Sequence, residues 1–370
     1  MKNVYGSTLT LTLFGESHGP AIGAVLDGLA PGIRINRERI DLRLAQRRPS
    51  GQTSTARVEQ DAYTILSGVH NGYTTGTPLC ITIPNKNQHP ADYHSVSGIA
   101  RPGHCDYPAY SKYHGFEDPS GGGHFSGRIS AAVVAAAAIV ETALSAKGIR
   151  VATHLAECAG IKDRSFDASN LPEDIDRLDT AMFPVLDGRS GEKMKEAIIQ
   201  AKNDLDSVGG VLETVIYGLP AGVGEPWFDT VEGLLAHGLF SVPGVKGVEF
   251  GDGFALADMR ASKANDPYRI DGNGNVYTLT NHNGGIGGGI SNGMPVIFRC
   301  AVKPTPSIAR KQQTVDLKNM ENTEIEISGR HDPCIAHRAR AVVDAITVLT
   351  VVDMLSVRFG TDWLAEEKEN

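Results

Sequence analysis

The segment GGGHFSGRISAAVVAAAAIVETAL, at residues 121–144, joins a glycine loop to an alanine-rich stretch. Alanine has the highest intrinsic helix propensity, so we predict a helix from Ser126 to Leu144. The glycine loop before it would offer free N–H groups and the positive end of the helix dipole to an anion. Because this loop matches neither G-x-x-x-x-G-K-[ST] nor G-x-G-x-x-G, the sequence disfavours an ordinary nucleotide kinase and a Rossmann fold. A flexible helix entry without a ligand stays an open alternative.

Outside this segment, short strand patterns alternate with helical patterns. We predict strands at 8–14, 21–27, 79–83, 211–217 and 296–302, and helices at 36–48, 192–206 and 335–357. Between 84 and 120 the chain is rich in Pro, Gly, His and Tyr and shows little periodicity. We therefore predict a long loop there, and long loops in compact domains are usually functional or disordered.

The length of 370 residues suggests two domains by the usual size of a domain. No break in composition marks a linker, however, and we predict a single domain over residues 1–370. Residues 25–32 resemble residues 215–222, and each segment follows a predicted strand and precedes a predicted helix. This echo leaves open two similar α+β halves or simply a common strand–turn–helix corner.

Composition excludes several classes of protein. Apolar residues make up 41% of the chain and charged residues 21%, which is ordinary for a globular protein. The net charge of −8, from 35 basic and 43 acidic side chains, argues against a nucleic-acid binder. We see no signal-peptide pattern, and the longest run of low polarity, 129–140, is too short to span a bilayer. Five scattered cysteines without C-x-x-C spacing indicate a reduced, cytoplasmic setting.

An arginine cluster near the N-terminus is the first candidate for chemistry. It comprises Arg34, Arg37, Arg39, Arg43, Arg47, Arg48 and Arg57, and no lysine occurs between Lys2 and Lys86. Three of these arginines are spaced four apart and share one helix face. Arginine suits bidentate contact with carboxylate and phosphate, so the cluster favours an anion site. The alternative is a solvated helix face paired with Glu38 and Asp41.

Histidine and glycine mark the second candidate. Six of the twelve histidines lie between residues 70 and 124, namely His70, His89, His94, His104, His114 and His124. The absence of H-E-x-x-H and of a cysteine pair disfavours a metal site. His18 and His104 stand in glycine-rich turns, which favours proton transfer or anion contact, although a structural role for either one stays open. Glycine is about 11% of the chain against a typical 7%, which indicates close approach of backbone to a ligand.

Late motifs add further donors. NHNGGIGGG at 281–289 is followed by KPTPS at 303–307 and GRHDP at 329–333. Lys303, Thr305, Ser307 and Arg330 could all donate to an anion. From the residues alone, the sequence therefore indicates an anion-binding site built from loops.

Taken together, these segments resemble the chorismate synthase family. The motifs occur in the family's order over nearly the whole chain: GESHG at 15–19, RRPSGQTSTARVEQD at 47–61, GYTTGTP at 72–78, RPGHCDY at 101–107, GGGHFSGR at 121–128, VKGVEFGDGF at 245–254, NHNGGIGGGIS at 281–291, KPTPSI at 303–308 and GRHDPC at 329–334. The resemblance implies a single-domain α+β sandwich of antiparallel sheets and helices with long Gly-rich active-site loops. It also implies a homotetramer.

The resemblance further implies a reaction. The family eliminates phosphate and a ring hydrogen from 5-enolpyruvylshikimate 3-phosphate, in a 1,4 sense, to give chorismate. It needs reduced FMN although the reaction has no net redox change. An arginine-rich pocket fits a substrate with two carboxylates and a phosphate, and no nucleophile or metal is expected. The cofactor supplies the redox chemistry, while the protein supplies binding and electrostatics.

Residue roles follow from the same resemblance. The catalytic residues would be His18 near the flavin, His104 near the leaving phosphate and Asp332 in proton handling. The substrate would be held by Arg47, Arg48, Arg101 and Arg128. The flavin would be contacted by His124, Phe125, Ser126, Pro243, Gly244, Gly288, Lys303, Pro304, Thr305, Pro306, Ser307 and Arg330.

The resemblance is incomplete at three points. His124-Phe125-Ser126 stands where relatives often have Arg-Ser-Ser, and Pro243-Gly244 stands where an Asn-Ala-like pair is common, so the flavin contacts there would come from the backbone rather than from side chains. Residues 50–56 lack an arginine that many relatives carry, so an NADPH contact is not carried over from it. With no separate nicotinamide fingerprint, an external flavin reductase is favoured over NADPH as the reductant. Three rivals stay open: a phosphate-handling transferase or kinase, a flavodoxin-like carrier, and an inactive homologue.

Overall fold

Strands and helices alternate throughout the described part of the chain. The computed structural model describes residues 2–55, 60–86, 98–118, 120–327 and 331–365. The strands are β1 (Val4–Tyr5), β2 (Thr10–Gly15), β3 (Ala21–Asp27), β4 (Thr64–Ser67), β5 (Val69–His70), β6 (Tyr73–Thr74), β7 (Leu79–Pro84), β8 (Arg150–Cys158), β9 (Ile161–Lys162), β10 (Gly210–Tyr217), β11 (Val245–Phe250), β12 (Tyr268–Ile270), β13 (Val276–Thr278), β14 (Ile286–Gly287), β15 (Ile290–Ser291), β16 (Val296–Val302), β17 (Gln312–Asp316) and β18 (Glu321–Ile325). The helices are α1 (Arg37–Arg47), α2 (Asp106–Tyr113), α3 (Ser130–Ala146), α4 (Leu171–Thr180), α5 (Gly188–Asn203), α6 (Val231–Leu239), α7 (Ala261–Ala264) and α8 (Ala336–Phe359).

Local sequence explains the limits of α1. The side chain of Asn36 accepts a hydrogen bond from the Arg39 amide at 3.0 Å, which satisfies one of the free N–H groups of the first turn. Ile40 and Leu44 are buried on the face that meets the core. The helix stops just before Pro49, because the residue preceding a proline disfavours the α conformation. The prediction of this helix is confirmed.

The first large sheet carries the turn that holds His18. Its strand order is β1-β2-β3-β7-β4, and all neighbours are antiparallel. In β7 the side chains of Leu79, Ile81 and Ile83 are buried and alternate with more accessible ones, as one covered face of a sheet requires. Strands β2 and β3 pair up to Gly15 and Ile22, so the turn between them lies at one end of the sheet.

The second large sheet has the order β11-β16-β10-β8-β9, again fully antiparallel. Four strands of each sheet correspond: β2-β3-β7-β4 in the first and β8-β10-β16-β11 in the second. Gly28 after β3 and Gly218 after β10 both have positive φ, at 82° and 80°, and a Cβ at either would overlap a backbone carbonyl oxygen. These shared features support two similar halves, which stay a prediction.

Two buried helices join the sheets. Helix α3 packs on β3 and β7 of the first sheet, α8 packs on β8 and β10 of the second, and the two helices pack on each other. The alanines of α3 permit this close approach, and the main cluster of buried apolar residues includes side chains from both sheets and both helices. The result is an α+β sandwich, the fold class implied by the family resemblance.

Several predicted elements need correction. Helix α2 lies inside the region predicted as a long loop, where Pro and Tyr obscure the helical pattern. Helix α5 begins at Gly188 rather than at residue 192, because the Asp187 side chain caps it by accepting from the Ser190 amide at 2.9 Å.

One helical stretch meets the length and apolarity needed to cross a membrane. Among the described residues this is Gly127–Ala146, which is longer than the uninterrupted run at 129–140 that the sequence suggested. In the fold, 78% of its apolar window is buried. Its apolar surface thus faces protein, as expected for a core helix.

Candidate functional site

The glycine loop docks onto the turn between β2 and β3. The Ser17 amide donates to the Gly123 carbonyl at 3.0 Å, and the Ser17 hydroxyl donates to the Ser120 carbonyl at 3.2 Å. From the other side, Nδ1 of His124 donates to the Gly15 carbonyl at 2.8 Å. The motif at 15–19 and the motif at 121–128 therefore form one structural unit.

His18 and His104 pack on two consecutive glycines of this loop. A Cβ at Gly121 would overlap the imidazole of His18, and a Cβ at Gly122 would lie 3.2 Å from Cε1 of His104. Both glycines have positive φ, at 62° and 95°, which side chains with a Cβ rarely adopt. Conformation favours glycine at both positions, space excludes a side chain at Gly121, and the two histidines lie against neighbouring residues of one loop.

The His104 ring is fixed by a carboxylate. Its Nδ1 donates to Oδ1 of Asp106 at 2.7 Å, and Arg101 donates to both oxygens of the same carboxylate at 2.7 Å each. Burial acts to raise the pKa of Asp106, but the hydrogen bonds from Arg101 and His104 outweigh it and hold that pKa well below the usual range. Asp106 is therefore ionised and accepts only.

His104, Cys105 and Asp106 also bring three potential metal ligands within 4.8 Å of one another. Burial raises the pKa of the Cys105 thiol, which disfavours the thiolate that a metal needs. Asp106 is already engaged by the Arg101 guanidinium. The chemistry of this trio suits hydrogen bonding better than metal binding.

The KPTPS segment closes the site next to the RPGH turn. Nζ of Lys303 donates to the carbonyl of Gly103, and a Cβ on Gly103 would lie 3.3 Å from Cβ of Pro306. The Lys303 amide donates to the Gly244 carbonyl at 2.9 Å, so the predicted pair Pro243–Gly244 adjoins this segment. The Thr305 hydroxyl is buried without a hydrogen-bond partner among the residues that the structure describes.

Three of the predicted substrate arginines converge on Asp61. Arg128 pairs with one oxygen of Asp61, while Arg47 and Arg48 approach the other at 3.2 and 3.8 Å. The Asp61 side chain is fully buried. Three guanidiniums gathered around one buried carboxylate form a group of donors suited to carboxylate or phosphate oxygens.

Arg128 also connects this cluster to the His18 turn. Its Nε donates to Oδ1 of Asn85 at 3.1 Å, and the Asn85 amide group donates to the carbonyls of Glu16 and Gly19 at 2.9 and 2.8 Å. Asn85 therefore links the arginine cluster with the turn that carries His18.

Asp332 lies at the far side of the arginine cluster. Its carboxylate accepts from the Thr55 amide at 2.8 Å and from Nη1 of Arg338 at 2.6 Å. Nε of Arg338 donates to the Arg47 carbonyl at 3.0 Å, so α8 is tied to the end of α1. Asp332 is joined to Arg47 through Arg338, whereas none of the described contacts links it directly to either histidine.

The arginine-rich face of α1 is divided between two tasks. Arg39 and Arg43 pair with Glu141 of α3 and Asp179 of α4, not with Glu38 and Asp41 as one interpretation had it. Burial and the charge of Arg43 are the main influences on Glu141, and the arginines lower its pKa despite that burial. This part of the cluster holds α1, α3 and α4 together, because its guanidiniums pair with the buried Glu141 and the partly buried Asp179.

The remaining predicted residues differ in how close they lie to this unit. Phe125 is 40% exposed and meets Tyr113 edge-on at 5.9 Å, and Ser126 accepts from the Arg128 amide at 3.3 Å. Gly288 lies in the β14–β15 hairpin. The carbonyl of the next residue, Gly289, accepts a hydrogen bond from the Val231 amide of α6 at 2.9 Å. Ser307 is partly buried. Arg330 lies outside the described residues, as do His89, His94 and Arg57.

Sequence reasoning missed three polar residues of the site, namely Asp61, Asn85 and Asp106. Two of them stand inside motifs that were singled out: Asp61 ends the RRP motif, and Asp106 follows His104 by two residues. A carboxylate so close to a candidate acid was a usable signal. Asn85 carries no such signal, since its role depends on the turn at 15–19 folding against it.

The fold and the site together define an α+β enzyme with a cationic, loop-built centre that holds two histidines on a glycine loop. Comparison with known families agrees: the family model for chorismate synthase matches residues 9–356. A chorismate synthase from Dehalococcoides mccartyi is 44% identical over 97% of this chain and 98% of its own length. One from Thermococcus gammatolerans is 43% identical over 95% of this chain and 96% of its own.

A solved structure supports the same assignment. The chain is similar to a crystal structure of chorismate synthase with a TM-score of 0.76 and 25% identity, over 96% of this chain and 94% of the other. This chain belongs to the chorismate synthase family, and with it to the lyases.

Proposed function

We propose that this protein converts 5-enolpyruvylshikimate 3-phosphate to chorismate by 1,4-elimination of phosphate and a ring hydrogen, with reduced FMN and no net redox change. Chorismate formation would make it a step of the shikimate pathway toward aromatic amino acids. The observation that carries the proposal is the packing of His18 and His104 on consecutive glycines beside a cluster of arginines. That arrangement combines proton donors with an anion site.

Binding of the substrate falls to the arginines. Arg47, Arg48 and Arg128 gather three guanidinium groups around Asp61, and such a concentration of arginine suits a substrate with two carboxylates and a phosphate. Arg101 contributes its charge next to His104. Guanidinium groups suit both the phosphate and the carboxylates, because each can form paired hydrogen bonds with two oxygens.

Proton transfer falls to the histidines and Asp332. A proton from His104 to the departing phosphate would stabilise the charge that develops as the carbon–oxygen bond breaks. His18 lies against the other glycine, Gly121, and serves as the second proton carrier. The Ser17 hydroxyl donates its hydrogen to the Ser120 carbonyl, so Nδ1 of His18 is the donor in its 3.0 Å hydrogen bond with the Ser17 oxygen. Asp332 assists proton handling through its link with Arg338 and Arg47.

The residues around the loop fit a flavin. The buried, unpartnered hydroxyl of Thr305 offers a donor to a polar ring or phosphate, and the accessible ring of Phe125 offers a stacking surface. We assign the flavin to His124, Phe125, Ser126, Pro243, Gly244, Gly288, Lys303, Pro304, Thr305, Pro306, Ser307 and Arg330. Reduced FMN held by these residues would supply the electron-transfer chemistry, while the protein would supply binding, orientation and electrostatics.

The surface supports an assembly of several copies. Trp227, Phe228 and Phe254 are each more than four-fifths exposed, and the β12–β13 hairpin exposes Tyr268 and Ile270. Exposed aromatic groups of this size are typical of protein interfaces. We propose a homotetramer on this basis together with the family resemblance.

The cysteines support a reducing compartment. All five are free, and the sulfur atoms of Cys158 and Cys334 lie 3.8 Å apart without forming a bond. We propose a cytoplasmic enzyme whose flavin is reduced by an external reductase rather than by NADPH bound to this chain.

An anaerobic assay tests the function. Dithionite-reduced FMN and 5-enolpyruvylshikimate 3-phosphate are supplied, and chorismate absorbance is followed together with released phosphate. We expect both products in equal amounts, and none with oxidised FMN. Binding of flavin and substrate without product would instead identify an inactive homologue, and consumption of ATP would identify a kinase.

A further inference from the structure

Asp106 connects a guanidinium with a candidate acid. One oxygen of its carboxylate accepts from Nδ1 of His104 at 2.7 Å and from one Nη of Arg101 at 2.7 Å. The other oxygen accepts from Nε of Arg101 at 2.7 Å and from the Arg101 amide at 2.9 Å. Four hydrogen bonds therefore converge on this one side chain.

This geometry decides which nitrogen of His104 faces the site. Asp106 is ionised and can only accept, so Nδ1 of His104 must carry a hydrogen. Nε2 lies on the opposite edge of the ring, toward the glycine loop, where a Cβ on Gly122 would be 3.5 Å away. The proton available to a substrate is thus the one on Nε2.

We propose that Asp106 is a positioning residue for the elimination, acting through His104. It holds the imidazole in one orientation and stabilises its protonated form, and Arg101 in turn holds Asp106. When the carbon–oxygen bond breaks, its electron pair leaves with the phosphate and the Nε2 proton passes to a phosphate oxygen. Over the whole elimination, the electron pair of the ring C–H bond enters the new double bond as that hydrogen is lost, so the ring is left without a charge. His104 becomes neutral, while its Nδ1–H bond to Asp106 is kept. This inference rests on the proposed role of His104 as the acid.

Among the residues that the structure describes, Asp106 is the carboxylate that contacts the His104 ring. Sγ of Cys105 lies 3.4 Å from Nδ1 and is a protonated thiol. The Lys303 ammonium is bonded to the Gly103 carbonyl, and His18 lies against the neighbouring glycine. These groups are neutral or cationic, so the anionic support of a protonated His104 comes from Asp106.

The test is Asp106→Asn, which keeps the size of the side chain and an oxygen for Arg101. We expect kcat to fall about 10²-fold or more, since the corresponding change in serine proteases imposes the wrong tautomer and lowers kcat about 10⁴-fold. The substrate dissociation constant should stay within about threefold. The alkaline limb of the kcat–pH profile should move to lower pH, because the imidazolium has lost its counter-charge.

Asp174→Asn is the matched control. Asp174 also binds one arginine, Arg164, through both carboxylate oxygens, but within the described part of the chain its side chain is not bonded to a histidine. Its variant should turn over normally with an unmoved pH profile. A second variant, Asp106→Glu, keeps the charge but displaces the carboxylate from Nδ1, so kcat should fall while the fold is retained.

A double variant separates positioning from a structural role. In a His104→Ala background, adding Asp106→Asn should lower kcat by less than about threefold, because the group through which Asp106 acts is already gone. A further large loss would mean that Asp106 only shapes the loop, and the inference would be wrong. Normal turnover of both Asp106 variants would overturn it as well. Absence of chorismate from the wild type is a different result and would reject the proposed function itself.

Discussion

Gly122 lies against the ring of His104 so closely that a Cβ on the glycine would come within 3.2 Å of Cε1. The neighbouring Gly121 stands in the same relation to His18. The loop therefore acts as a surface on which both rings rest, and its shape sets the distance between the two candidate proton carriers. This gives the glycines a role that does not depend on contact with a phosphate.

Gly122→Ala should lower both stability and turnover. A residue with a Cβ at φ 95° is strained by about 1–3 kcal/mol, and the methyl group would push the His104 ring from its place. This shift is well below 1 Å, so we expect kcat to fall by less than the roughly 10²-fold that a displacement of about 1 Å can cost. Gly127→Ala is the control, since a Cβ there meets nothing within 4 Å. Thermal unfolding and kcat measure the two effects; equal behaviour of the two variants would contradict this account.

Arg128→Ala should weaken substrate binding. A charge-assisted hydrogen bond contributes about 1.5–3 kcal/mol, which corresponds to a rise of roughly 10- to 100-fold in the substrate dissociation constant. Arg128→Lys should restore only part of this affinity, because one ammonium cannot reproduce a fork that contacts both Asp61 and Asn85.

The control for Arg128 is Arg150→Ala. Arg150 also pairs with an aspartate, Asp176, but this pair is exposed. Its loss should leave the dissociation constant unchanged in equilibrium binding measurements. An unaltered affinity in Arg128→Ala would remove this arginine from the substrate site.

Gly288→Val tests the flavin assignment. Gly288 has φ 63° and open space where a Cβ would lie, so a valine is strained there and fills that space. Gly274→Val is matched, because Gly274 has φ 85° and is equally open but stands in the turn of the β12–β13 hairpin. Both variants should lose similar stability, while only Gly288→Val should bind FMN more weakly in a fluorescence titration. Equal FMN affinity in the two would withdraw Gly288 from the site.

Elements with strong local signals were predictable from the sequence. The cap at Asn36 set the start of α1, and the alanine run marked α3. Helix α2 was missed because its sequence, DYPAYSKY, lacks a periodic apolar face, and only Ala109 in it is buried. Its last turn contacts the glycine loop instead, where the Tyr113 ring meets Phe125 edge-on at 5.9 Å.

Site residues were predictable from the sequence only where the residue type and its immediate neighbours already indicate a chemical role. His18 and His104 stood out in their glycine-rich turns, and the structure brings both to one loop. The division of the arginines could not be foreseen. Arg43 finds Glu141, which is 98 residues away along the chain, and such a pairing depends on how α1 packs against α3. Asp61 was overlooked for the same reason.

A buried histidine that is not among the candidate site residues should give the protein a distinct pH dependence. His154 is fully buried, with Nδ1 3.0 Å from Asp163 and Nε2 2.9 Å from Glu213. Burial acts to lower the pKa of His154, but the hydrogen bonds and charges of the two carboxylates outweigh it and raise that pKa above 6.5. Hydrogen bonds from His154 and two backbone amides likewise lower the pKa of Asp163, against the effect of its burial.

The sign of the effect follows from these two shifts. A raised histidine pKa stabilises the fold below about pH 6.5, and this contribution is lost as the pH rises through the raised value. The lowered pKa of Asp163 contributes above about pH 4 and is lost on further acidification. The cluster is therefore most stabilising between about pH 4 and 6.5.

His154→Gln removes the histidine from this cluster and should lower the free energy of unfolding by roughly 3 kcal/mol in that pH range. The difference in unfolding free energy between wild type and variant should shrink by pH 9 to 10. The control is His70→Gln, at an exposed position, which should show no such trend in urea unfolding across the same pH range. If the loss of unfolding free energy in His154→Gln stays constant with pH, His154 is neutral in the folded protein and the prediction is wrong.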